Sequence, residues 1–115
     1  MARTALTAVA ASENGVDLDA VDQAAELTDG NSFVWTATRR YYVNNGDDAS
    51  LTVTFQTPAT VGASALAVAD KAVVMTAGQR KVFGPFGPEY RRPDGTVWVD
   101  YSGTTPTGVM VAALD

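Results

Sequence analysis

Short runs in which apolar and polar residues alternate, each closed by a turn residue, recur along most of this chain. The cleanest covers residues 50–57. There Leu51, Val53 and Phe55 share one face and Thr52, Thr54 and Gln56 the other, until Pro58 ends the run. Residues 96–102 repeat the pattern, with Val97, Val99 and Tyr101 opposite Trp98 and Asp100. Further strands are expected over residues 32–38, with Phe33 and Trp35 on one face, and over 39–44, 71–76 and 80–86. Residues 109–114 are apolar on both faces, as in a central strand or one covered by a partner. Residues 44–48, Asn-Asn-Gly-Asp-Asp, predict a hairpin turn, because Asn and Gly tolerate positive φ. Ala77-Gly78 and Pro93-Asp94-Gly95 predict further turns, and residues 59–69 a loop of small residues.

The first quarter of the chain is less decided. Residues 4–11 alternate weakly, as an edge strand or an arm would. Val16, Leu18, Val21, Ala24, Ala25 and Leu27 suit either a short helix or a loop followed by a strand at 21–28. The Asp29-Gly-Asn31 turn favours the strand. The sum is an all-β chain: one antiparallel β-sandwich of about eight strands, in jelly-roll or immunoglobulin-like order. Residues 1–12 form an N-terminal arm or edge strand, and residues 13–115 the sandwich domain.

Composition narrows the chemistry. At 115 residues one domain is expected. Fifteen valines and fourteen threonines suit strands, since a branched Cβ fits the pleat. Nineteen alanines, six arginines to two lysines and no isoleucine match coding by a GC-rich genome. With no cysteine there is neither disulfide nor thiolate site, and with no histidine the usual base near neutral pH is missing. Serines 12, 32, 50, 64 and 102 therefore lack a histidine base, and no carboxylate pair falls in a catalytic motif, so no enzyme and no cofactor are expected. A net charge of −5 without a basic stripe argues against nucleic acid. No apolar run is long enough for a membrane helix, and the N-terminal stretch is too short and threonine-rich for a secretory signal.

Four groups of residues invite a functional reading, each beside a plainer one. Asp17, Asp19 and Asp22 suggest a calcium loop, but the third acid is one place late and the glycine is missing, so solvated loop acids explain them better. The oxygens of residues 44–48 could hold a cation, though a turn suffices. Trp35, Tyr41, Tyr42, Trp98 and Tyr101 suit a sugar-stacking platform or, more simply, core and interface anchors. Arg39 and Arg40 are neighbours on a strand and point to opposite faces, so one of them reaches a partner carboxylate or both sit at a strand end. Arg91 and Arg92 lie in a Pro/Gly-flanked loop and are expected to be exposed.

A resemblance sharpens this. The chain carries Thr4-Ala-Leu-Thr7 near its first residue, then Thr54-Phe-Gln-Thr-Pro-Ala-Thr-Val61, Leu66-Ala-Val-Ala-Asp70 and Ala77-Gly78. It continues with Gly84-Pro-Phe86, Asp94-Gly-Thr-Val-Trp-Val-Asp-Tyr101 and an apolar last strand. In these features, over nearly its whole length, it resembles small structural proteins of tailed bacteriophages and prophages of GC-rich hosts. Segment 14–31 fits the pattern least. The resemblance implies a capsid decoration, or cement, protein, made in the host cytoplasm and carried on the outer surface of the virion. Its partners would be the major capsid protein and copies of itself, a trimer being favoured, with no nucleic acid, membrane or small-molecule substrate. On that reading Arg3, Leu6, Val9, Arg39, Arg40, Trp98, Tyr101, Val109 and Val111 are the expected capsid or self contacts, the arm adding a strand to a neighbour's sheet. A head–tail connector or tail subunit, and a carbohydrate-binding module, are the alternatives.

Overall fold

The computed structural model describes residues 3–67, 69–104 and 106–115, the Val61 side chain excepted; the first two residues of the expected arm lie outside them. Two sheets face each other. The first holds β1 (Thr4–Ala5), β3 (Asn31–Val34), β10 (Thr96–Ser102), β5 (Leu51–Phe55) and β8 (Lys71–Met75), in that spatial order. The second holds β2 (Gln23–Ala24), β11 (Val109–Leu114), β4 (Arg40–Asn45) and β9 (Arg80–Phe83). A small separate hairpin, β6 (Thr60–Val61) with β7 (Leu66–Ala67), rises from the connection between β5 and β8.

The connectivity decides between the two expected sandwich orders. β2 pairs with β11, β3 with β10, β4 with β9 and β5 with β8, all antiparallel. The chain is thus one long hairpin of four strand pairs. Rolling it up brings β4 beside β11 and β5 beside β10. That is the jelly roll. β1 is an addition, parallel to β3 at the edge of the first sheet.

Rolling puts one face of each sheet into the core. Leu51, Val53, Phe55, Val97 and Val99 are buried to 1 % exposure or less, as the period-2 pattern demands. Each such side chain contributes ~1.5–3 kcal/mol by leaving water. Phe33 stacks on Tyr41 with centroids 5.0 Å apart, and Phe86 packs on Phe33, Phe55 and Tyr90.

Several expectations change. Residues 44–48 do not make a hairpin: β4 and β5 lie in opposite sheets, so this turn is an arch across the sandwich. Turn residues specify a change of direction, not the strand's partner. The arch needs a glycine, because a Cβ on Gly46 would stand 2.4 Å from the Gly108 carbonyl oxygen. The 59–69 loop contains the β6–β7 hairpin. It is closed by Asp70, whose Oδ1 accepts from the Thr57 backbone N–H and hydroxyl at 3.0 and 3.2 Å. Residues 16–27 hold both alternatives in short form: helix α1 (Leu18–Val21), capped by the Asp17 carboxylate, then β2.

The N-terminal segment is docked on its own domain. Thr4 and Leu6 donate to Gly30 and Ser32, then Val9 exchanges backbone bonds with the C-terminal end of β11. It stitches the edges of both sheets together.

Candidate interaction surface

No cavity opens among the described residues, and no three metal-ligating side chains converge there. The side chains weighed for cation binding serve the backbone. Asn45 is fully buried and its Nδ2 lies 3.1–3.3 Å from the carbonyls of Ala49, Met75 and Thr76, tying the β4–β5 arch to the β8–β9 turn. The Asp47 carboxylate accepts from the backbone N–H groups of Asp48 and Thr107, and those bonds hold its pKa below the usual carboxylate value.

The aromatic residues do not form a platform. Tyr41 and Tyr101 meet hydroxyl to hydroxyl in the core, across the two sheets. Tyr101 donates to Asn31 Oδ1 at 2.8 Å, so Tyr41 is the donor to Tyr101. Buried Asn31 also accepts from the Glu26 N–H and donates to the Thr4 carbonyl, at 3.1 and 3.2 Å. Burial pushes both tyrosines' pKa values well above the ordinary one. Tyr42, on the other face of β4, is 2 % exposed and its hydroxyl has no partner among the described residues. Trp35 packs against the core and donates its indole N–H to Phe86 at 3.0 Å.

Trp98 stands on the outer face of the first sheet between two arginines. The guanidinium carbons of Arg92 and Arg3 lie 3.6 and 4.3 Å from its ring centroid. Two guanidinium groups that close have no room on one face, so they clasp the indole from both sides. Asp100 holds Arg3 at 2.7 Å and accepts from Gln56, which in turn accepts from Arg92 at 3.3 Å. Arg92, expected in solvent, is half-buried in this network, while Arg91 is exposed. Both indole faces are covered, which leaves no flat apolar surface there for a sugar ring.

The expected contact residues therefore separate. Leu6, Tyr101, Val109 and Val111 are core residues, and their side chains do not reach a partner. The two-faced pattern of residues 109–114 reflects a central strand: Ala112 on the outer face is also buried, beside Tyr42. Arg39 and Arg40 do point opposite ways, but the carboxylate facing Arg39 is the chain's own Asp115, 3.8 Å from its Nε, and Arg39 is 9 % exposed. Arg40 is exposed, Val9 half-buried, and Arg3 and Trp98 belong to the outer-face cluster just described.

The open surface lies elsewhere. β8 and β9 each pair on one side only, and they end the two sheets at the same flank, joined by the turn at 76–79. Val74 on β8 is 62 % exposed and Val82 on β9 52 %. The signal was present, since residues 72–75 (Ala-Val-Val-Met) are apolar on both faces, as 109–114 are. Charge marks the same flank. Lys71, Arg80 and Lys81 stand there without an acid between them, and none forms an ion pair among the described residues. Residues 13–29, which lead into and out of β2 at the opposite flank, carry six carboxylates and no basic residue, and none of the six forms an ion pair among the described residues; Arg3, which approaches Gly30, is held by Asp100. No protein-family model matches this chain, nor does any curated protein or solved structure.

Proposed function

We propose that this chain is a virion structural protein, a capsid decoration protein that sits on the outside of a shell of major capsid protein and braces it. The observation that carries the reading is the contrast between a well-packed jelly roll and the absence of any cavity or reactive cluster among its described residues. What such a molecule offers is surface. The motifs behind the phage resemblance fall on structural positions: the end of β5, the Asp70 closure and all but the last residue of β10. Jelly rolls occur in capsid and lectin domains alike, so the fold supports the reading by analogy only. The acidic charge suits an outer position, away from packaged DNA.

Such a protein works by binding energy alone. A ligand that binds only the assembled, expanded shell stabilises it by mass action. Each copy touches several subunits, so weak contacts add to a strong brace. The test is quantitative mass spectrometry of purified particles from the phage or prophage that encodes this chain. A copy number comparable with that of the major capsid protein is expected. A copy number of a single ring would transfer the chain to the head–tail connector or tail, and its absence from particles would overturn the reading.

A further inference from the structure

We infer that copies of this protein associate head to tail, the basic β8–β9 flank of one receiving the acidic β2 flank of the next. This deepens the self-association expected of a shell-bracing protein and needs no shell to be tested.

An open strand edge is a template for another chain, and proteins blunt their edges unless the edge is used. Here the acidic flank is blunt: β1 and β2 are two residues long. The opposite flank is not, with five residues of β8 and four of β9 unpaired on their outer sides. Exposed Val74 and Val82 add apolar surface to it.

Lysine on an edge strand is also a device against aggregation, and the charges discriminate between occupants. Two β8–β9 flanks placed together bring Lys71, Arg80 and Lys81 of each copy against the same cations of the other. The acidic flank of a second copy meets them with the opposite sign: Glu13, Asp17 and Asp19 are exposed there and Asp22 half-buried, while Glu26 accepts from the Thr28 and Asp29 backbone N–H groups. The same pattern that forbids symmetric edge pairing favours the asymmetric one. An asymmetric contact leaves a free end on each dimer, so assembly goes on to a closed ring or a filament.

Sedimentation velocity of the purified protein tests this. Species larger than a dimer are expected at ~0.1 M salt, and they should dissociate at ~1 M, where the screening length falls from ~10 Å to ~3 Å. Two charge sets separate the flanks: Lys71→Glu with Arg80→Glu and Lys81→Glu, and Glu13→Lys with Asp19→Lys and Asp22→Lys. Asp17 is spared because it caps α1. Each triple variant alone should be monomeric, its association constant lowered ~10-fold or more. Mixed together, they present opposite charges to each other, the intact acidic flank of one meeting the intact basic flank of the other, so association should return. Circular dichroism checks that both remain folded, and the salt response of the unaltered protein stands without either variant. A wild-type protein that stays monomeric at low salt, oligomers indifferent to salt, or a mixture that fails to pair would each overturn the proposal.

Discussion

Tyr41 and Tyr42 are consecutive on β4, both buried, and their hydroxyls meet opposite fates. Tyr41 feeds a relay through Tyr101 to Asn31 that bridges the two sheets. Tyr42 lies on the outer face, and its hydroxyl is out of water without a hydrogen bond among the described residues. A buried hydroxyl left unsatisfied costs ~1–3 kcal/mol, while a satisfied one contributes about 1 kcal/mol. Tyr42→Phe should therefore leave stability unchanged or raise it by about 1 kcal/mol. Tyr101→Phe strands the Tyr41 proton and should cost ~1–3 kcal/mol. Urea unfolding of the two variants side by side decides this; equal losses would mean that Tyr42 has a partner after all. The sequence shows that these neighbours face opposite ways, because the strand period is two. It does not show that the outer face at Tyr42 is covered, since that depends on residues far away along the chain.

Among the elements, those legible in advance were the ones whose pattern is local. β5 and β10 follow from alternation alone, which sorts their residues onto two faces, although Tyr101, expected at an interface, lies in the core. β11 reads as apolar on both faces, and only the sheet order shows that its two neighbours, β2 and β4, are the cause. The arches at 44–48 and 76–79 look like hairpin turns because Asn-Gly and Ala-Gly carry no information about which sheet receives the next strand. The N-terminal segment follows the edge-strand alternative rather than the free arm. Its strand-adding capacity is spent within the molecule, on β3 and β11, and Leu6 is part of the core. Removing residues 1–9 should consequently destabilise the domain by ~3–5 kcal/mol, from a lost buried leucine and several edge hydrogen bonds. Denaturant titration of the truncated chain is the check. An unchanged midpoint would show the segment to be a free arm, available to a neighbour as first expected.

At the scale of the molecule, Lys71 stands nine residues from Arg80 and no basic run announces the cationic flank in the sequence; its gathering at one edge is a product of the rolled hairpin. The same rolling places the Tyr41–Tyr101 contact at the centre, and this makes stability sensitive to alkali. Both phenols have folded pKa values above the ordinary ~10, with burial the leading cause. A raised folded pKa means that the folded state holds its proton more tightly than the unfolded chain. The resulting stability is complete below about pH 10 and is lost as pH rises above it. Each phenol lowers unfolding free energy by ~1.4 kcal/mol per pH unit in that range, so the pair gives ~2.7 kcal/mol per unit. Asp47 and Asp94 have lowered values and act in the opposite sense, losing their contribution as pH falls into the acid range. They are solvent-exposed, so the alkaline limb should dominate. Unfolding midpoints measured from about pH 8 to about pH 11.5 should stay level and then fall steeply above 10. The ultraviolet band of ionised tyrosine should show Tyr41 and Tyr101 titrating only as the fold is lost. In Tyr101→Phe the slope should halve, because one of the two groups is gone. Ionisation of Tyr41 and Tyr101 at about pH 10 with the fold intact would mean that the two sheets are not joined through these hydroxyls.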